Sequence, residues 1–104
     1  MDQSLSQSHE SLWTVTYKIT GKVQGVFFRK YTAAEAQRLD IKGTVCNHAD
    51  GSVVGIAQGP KRQIDLFKEW VSTKGSPKSR IDNFSFTEER ELSSLQYKTF
   101  GIVK

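Results

Sequence analysis

The sequence predicts an α+β sandwich in which a split βαββαβ order builds an antiparallel sheet of four to five strands with two helices on one face. Three observations carry that prediction. Segments near both ends alternate apolar and polar residues with a period of two. Two intervening segments repeat apolar residues at helical spacing. A tight-turn signal in the middle joins two strand-like runs into a hairpin.

Trp13, Val15, Tyr17 and Ile19 share one side of an extended segment, with Thr14, Thr16, Lys18 and Thr20 on the other, which predicts a strand over 13–20 with one buried face. A loop framed by Gly21 and Gly25 follows. Beyond it Phe28, Thr32, Ala36 and Leu39 recur at near-helical spacing, and Ala33, Ala34 and Ala36 favour helix. Ile41 to His48 is rich in β-branched residues and reads as a second strand. Ala49-Asp50-Gly51 turns the chain into a third strand over Ser52 to Gln58. Pro60 suits the first position of a helix, along which Ile64, Phe67, Trp70 and Val71 form an apolar stripe until Gly75 ends it. Ile81 to Thr87, with Phe84 and Phe86 alternating against polar neighbours, reads as a fourth strand. Glu88 to Glu91 reads as its solvated end or a turn. Tyr97 to Val103 can supply a short last strand with Phe100 and Ile102 facing inward. This order is the ferredoxin-like plan.

At 104 residues the chain fits one compact domain. The polar segment Met1 to Glu10 has no apolar run, so it is expected to be a flexible tail, neither a secretory signal nor a membrane span, ahead of a domain over 11–104. Cys46 has no partner for an intramolecular disulfide, which favours a reducing, cytoplasmic setting. A formal net charge of +4 favours anionic partners without choosing among them.

The chemistry on offer is sparse. His9, His48 and Cys46 lack the spacing of a zinc site, and no Gly-x-Ser-x-Gly elbow is present. Lys22 precedes the glycine loop, so the loop lacks the lysine and hydroxyl of a Walker-type nucleotide site. Cys46 reads as a small strand residue in preference to a nucleophile. What remains is a loop between strand and helix followed by Arg29. Glycines let successive N–H groups converge, a helix N-terminus adds unpaired donors and the positive dipole end, and a guanidinium fork matches phosphate or carboxylate. By spacing alone the same residues serve as an ordinary connection with a surface arginine, and Asn47 before a turn as a local backbone partner. The strand order brings the end of strand two toward the loop after strand one, so Arg29 and Asn47 could face one pocket.

The run Gly21-Lys22-Val23-Gln24-Gly25-Val26-Phe27-Phe28-Arg29 resembles the signature of the acylphosphatase family. So does Gly43 to Val53, which contains Asn47, at the matching distance downstream. Gln58-Gly59-Pro60 and Gly75 to Asp82 resemble the small animal-type enzymes, and the likeness spans Trp13 to Lys104. The resemblance implies hydrolysis of acyl phosphates to carboxylate and inorganic phosphate. It places phosphate binding on Arg29 and on the backbone donors of Val23, Gln24, Gly25, Val26, Phe27 and Phe28, and water positioning on Asn47. It implies no metal and no organic cofactor. The partners expected are a small-molecule acyl phosphate and inorganic phosphate, the latter as product and competitive ligand, with no nucleic acid and no membrane, acting on a monomer. A nucleic-acid-binding module on the same strand order would need exposed aromatics on the central strands, and Ser52 to Gln58 has none. A non-catalytic anion sensor would have no use for Asn47.

Overall fold

The computed structural model describes residues 11–103. The expectation of a flexible tail over 1–10, and His9 with it, lies outside the described residues. Along the described chain run β1 (Leu12–Lys22), α1 (Phe28–Arg38), β2 (Lys42–Asn47), β3 (Val53–Pro60), α2 (Lys61–Thr73), β4 (Arg80–Leu92) and β5 (Phe100–Val103). The sheet order is β4-β1-β3-β2-β5. The first four strands in that order pair antiparallel, as the sequence predicts. β5 corrects the expectation of a wholly antiparallel sheet, because it runs parallel to β2. The chain leaves β4 on one edge and crosses to the opposite edge, and it arrives there running in the direction of β2.

The period of two in β1 holds. Val15, Tyr17 and Ile19 are fully buried and stand in register with Ala57, Gly55 and Val53 of β3, so one sheet face carries the core. Against it lie Ile64, Phe67 and Val71 of α2, spaced so that one helical stripe points inward. α1 contributes Phe28, Thr32, Ala33 and Ala36, a thinner face that depends on small side chains. Ring contacts knit the layers: Tyr17 meets Phe67 edge-on at 5.3 Å, and Phe28 of α1 lies 6.3 Å from Trp70 of α2. Each such buried side chain removes enough apolar surface from water to contribute about 1.5–3 kcal/mol.

Several boundaries differ from expectation for local reasons. Pro60 is the extended residue that precedes α2, and the helix begins at Lys61. Glu88 to Glu91 belongs to β4: Glu88 and Glu89 both stand opposite Val15, a bulge that Glu88 accommodates with φ 50°. In β5, Phe100 is buried but Ile102, on the same face, is half exposed. The expectation that both face inward fails for Ile102, which lines an open cleft together with Arg29, Lys30 and Asn47. On the outer face of the sheet Gln58 is buried without a charge partner. Its amide donates to Thr14 Oγ1 (3.1 Å) and to Gln96 Oε1 (2.8 Å), and its own Oε1 accepts from Gln96 N–H (2.8 Å).

Tyr17 is fully buried in the core. Its buried hydroxyl donates to the carbonyl of Thr44 at 2.6 Å, and burial raises the phenol well above its ordinary pKa. The ring lies against Gly55, where a Cβ would collide with both the Thr44 carbonyl and the Tyr17 ring. We therefore expect Gly55→Ala to destabilise the fold by about 3 kcal/mol, the upper end of ordinary overpacking, because one obstacle is backbone that cannot yield. Urea unfolding checks this: the midpoint should fall at constant m-value, and an unchanged midpoint would contradict the packing described.

Candidate active site

β1 and β2 both pair antiparallel with β3. They therefore run in the same direction, and Lys22 and Asn47 finish at the same end of the sheet. The loop 23–27 begins there. Val23 and Phe28, buried at its two ends, pin it to the core. Between them Gly25 (φ 75°) and Phe27 (φ 61°, ψ 25°) are left-handed, and Val26 is not. Anion-binding nests are built from backbone that alternates between right- and left-handed conformations. The left-handed region is open to Gly25 at no cost, while Phe27 carries a strain of about 1–2 kcal/mol there.

The loop runs directly into α1. Phe27 gives that helix no side-chain cap, and its first turn holds no acidic residue. The first hydrogen bond across the helix start is Tyr31 N–H to Phe27 O at 3.1 Å, so the N–H groups of Phe28, Arg29 and Lys30 have no acceptor within the helix. These donors and the helix dipole concentrate positive potential where the loop ends.

A cleft of about 270 Å³ opens at this point, lined by Val23, Gly25, Phe27, Phe28, Arg29, Lys30, Asn47 and Ile102. That is several times the ~30 Å³ that one water occupies in the liquid, room for a tetrahedral anion and an attacking water. Arg29 is half-buried and makes no hydrogen bond or ion pair among the described residues. Asn47 projects from the helix-facing side of the sheet, in register with buried Val53. Its Oδ1 is buried and has no hydrogen-bond partner among the described residues. An unpaired buried carbonyl of this kind costs about 1–3 kcal/mol, and it lies at the wall of a cleft that could supply the missing donor.

Of the residues singled out from sequence, the structure brings Arg29, Asn47, Val23, Gly25, Phe27 and Phe28 to this cleft. Val26 instead lines an adjoining depression. The side chain of Gln24 is turned away, and its amide donates to the carbonyls of both His48 and Ser52 at 2.9 Å. It thus ties the loop to the β2–β3 hairpin. Sequence reasoning assigned Gln24 only a backbone N–H and did not include Lys30 or Ile102. The shared parity of Ile102 with Phe100 was the available signal for the latter.

The hairpin is itself braced. The Asp50 carboxylate receives the Lys18 ammonium at 2.7 Å and the Ser52 N–H at 2.9 Å. The Lys18 ammonium, followed by the hydroxyl and amide of Ser52, holds the Asp50 carboxyl well below the usual carboxylate range. A depressed carboxylate contributes its stability above its unfolded pKa and loses it only as pH falls through the lower folded value, so the brace is intact throughout the neutral range. Among the described residues no group of three His, Cys, Asp or Glu side chains gathers as for a metal ion.

The chain is similar to known proteins along most of its length. Residues 15–102 match the family model described as Acylphosphatase. The chain is 47% identical over 95 residues to Acylphosphatase-1 of Gallus gallus, covering 91% of this chain and 96% of that protein. It is 50% identical over 91 residues to Acylphosphatase-1 of Xenopus laevis, covering 88% of this chain and 92% of that protein. Among solved structures, the acylphosphatase from Bacillus subtilis superposes with a TM-score of 0.78 at 34% identity, over 88% of this chain and 99% of that one. The family model over residues 15–102, the relatives at 47% and 50% identity and the shared fold place the chain in the acylphosphatase family.

Proposed function

We propose that this acylphosphatase breaks the carboxyl–phosphate anhydride with a phosphate cradle, Arg29 and a water placed by Asn47. The reaction is that of the family: an acyl phosphate is hydrolysed to a carboxylate and inorganic phosphate. The observation that supports the division of labour is the shared cleft, with Arg29 beside the left-handed loop and Asn47 on the neighbouring strand.

The substrate makes so sparse a site sufficient. Its leaving group is a carboxylate whose conjugate acid has a pKa of ~4, by analogy with Asp and Glu. It departs without a general acid. The protein needs only to stabilise charge on the transferring phosphoryl group and to hold the nucleophile in line. In this reading the N–H groups from Val23 to Phe28 and the Arg29 guanidinium grip the phosphoryl oxygens. Asn47 Oδ1 accepts from the attacking water, and the Asn47 amide can donate to a phosphoryl oxygen. The titratable side chains lining the cleft are Arg29 and Lys30, both cations. A non-bridging phosphoryl oxygen therefore receives the proton of the water.

The reading extends to a cytoplasmic monomer built on residues 11–104, acting on a small-molecule acyl phosphate without nucleic acid or membrane. Among the described residues no helix is long and apolar enough to cross a membrane, and β3 carries no aromatic side chain for stacking on bases.

Hydrolysis of benzoyl phosphate by the purified chain, run beside an RNA-binding assay, tests the function directly. Within it, Arg29→Ala should cost about 3–4 kcal/mol of transition-state stabilisation, ~10²–10³ in kcat/KM, and should weaken competitive inhibition by inorganic phosphate. Asn47→Ala should collapse kcat while leaving phosphate inhibition within a few fold, because water placement matters to attack more than to ground-state binding. Equal loss of phosphate affinity in both variants would contradict the assigned roles. Gln24→Ala should lower kcat by up to about 10²-fold, since a displacement of ~1 Å between loop and hairpin misaligns water and phosphoryl group; unaltered kinetics would show the tie to be idle. The pH–rate profile should contain no limb removed by substituting a histidine or carboxylate, and a limb abolished by His48→Gln would establish a side-chain base.

A further inference from the structure

Arg29 shares its cleft with a second cationic side chain. Lys30 lines the same wall, and no carboxylate does. Lys30 is exposed and makes no ion pair among the described residues. It is the third residue of α1, in a first turn that holds no acid. The positive end of a helix dipole disfavours a cation there, and a glutamate at that position would serve the helix better. Helix stability therefore gives no account of Lys30. Phe27 is unfavourable in its own way, being left-handed (φ 61°) and 72% exposed, so that its ring buries little surface in return for the strain. What the ring does meet is the Lys30 ammonium. Lys30 Nζ lies over its face, 5.8 Å from the centroid, within the range of cation–π attraction. Two residues that the fold alone would not select thus meet each other at the wall of the phosphate cleft.

We infer that Lys30 is a second anion-capturing cation of this site, kept at the cleft wall by the face of the Phe27 ring. The inference rests on the hydrolase reading for its substrate, and it adds a residue that draws the anion in. A phosphoryl group carries up to two negative charges near neutral pH, and the Arg29 guanidinium supplies one positive charge. Lys30 supplies the other. An ammonium on a flexible stem acts as a hydrated point charge, without the fixed fork that lets a guanidinium follow individual phosphoryl oxygens. Substrate, transition state and inorganic phosphate all bring negative charge to the same place, so Lys30 attracts the three about equally. Uniform attraction of that kind lowers KM and strengthens phosphate binding while leaving kcat where it was. The division of labour is then that Lys30 gathers the anion and Arg29 stabilises it through the reaction.

The test measures benzoyl phosphate kinetics and calorimetric binding of inorganic phosphate at ionic strengths of ~0.01 M and ~0.15 M, where charges are screened over ~30 Å and ~8 Å. At the lower salt Lys30→Gln should raise KM and weaken phosphate binding by a common factor of up to about 10, the low end of what a charged cleft gains by attraction. Its kcat should stay within about twofold of wild type. At the higher salt the difference should shrink to about twofold or less. Lys30→Arg should restore the wild-type values. Phe27→Leu should show part of the same loss, and should add nothing to Lys30→Gln, the non-additivity of a coupled pair. The urea midpoint of Lys30→Gln should not fall, since the first turn of α1 loses an unfavourable charge. Unchanged KM and phosphate affinity, a loss equal at both ionic strengths, or a loss in kcat would overturn the capture role. Additive losses from the two residues would overturn the part given to the Phe27 ring. A wild-type protein that hydrolyses nothing would overturn the hydrolase reading alone, because phosphate calorimetry still reads Lys30.

Discussion

One side-chain amide holds the two halves of the site together. Gln24 donates to the carbonyls of His48 and Ser52, which lie at the two ends of the β2–β3 turn. The loop carries the left-handed residues Gly25 and Phe27 and the hairpin carries Asn47, and neither has another hydrogen bond to the other among the described residues. Because both acceptors are backbone carbonyls, the tie fixes main chain to main chain. Asp50 in turn joins the hairpin to Lys18 of β1 and to Ser52. Catalysis by positioning is only as good as that stiffness.

The topology makes the tie possible. A split βαββαβ order puts β1 and β2 on either side of β3 and leaves their C-terminal ends together. The residues that follow each strand are 24 or more positions apart in sequence and yet adjacent in space. The helix that leaves the β1 loop has no side-chain cap and no acidic residue in its first turn. Uncapped N–H groups, a strained Phe27 and a buried Asn47 carbonyl without a partner are each mildly unfavourable in isolation. All three lie around one cleft, and strained or unpaired groups of this kind cluster at functional sites.

Much of this was legible in the residues. The alternation through Val15, Tyr17 and Ile19 and the stripe of Ile64, Phe67 and Val71 name the core faces because burial imposes periods that side chains must obey. The Gly21 to Arg29 run and Asn47 point to the cleft that several of these residues line, since left-handed backbone and a guanidinium leave marks in composition. The direction of β5 was not legible: a four-residue strand such as Phe100–Val103 shows its faces but not its partner. Nor was the exposure of Ile102, which lines the open cleft. The turn of the Gln24 side chain away from the cleft was hidden for a similar reason, because its acceptors are backbone carbonyls, and these look alike at every position in a sequence.

The central claim is that loop amides, Arg29 and Asn47 converge on a single phosphoryl group. Titration of the ¹⁵N-labelled protein with inorganic phosphate, followed by amide and side-chain resonances, tests it most directly. The account predicts saturable shifts confined to the amides of residues 23–30, the Arg29 guanidinium and the Asn47 carboxamide, all with one dissociation constant. Shifts that include the loop and Arg29 but omit Asn47, or that map to another face of the sheet, would contradict it.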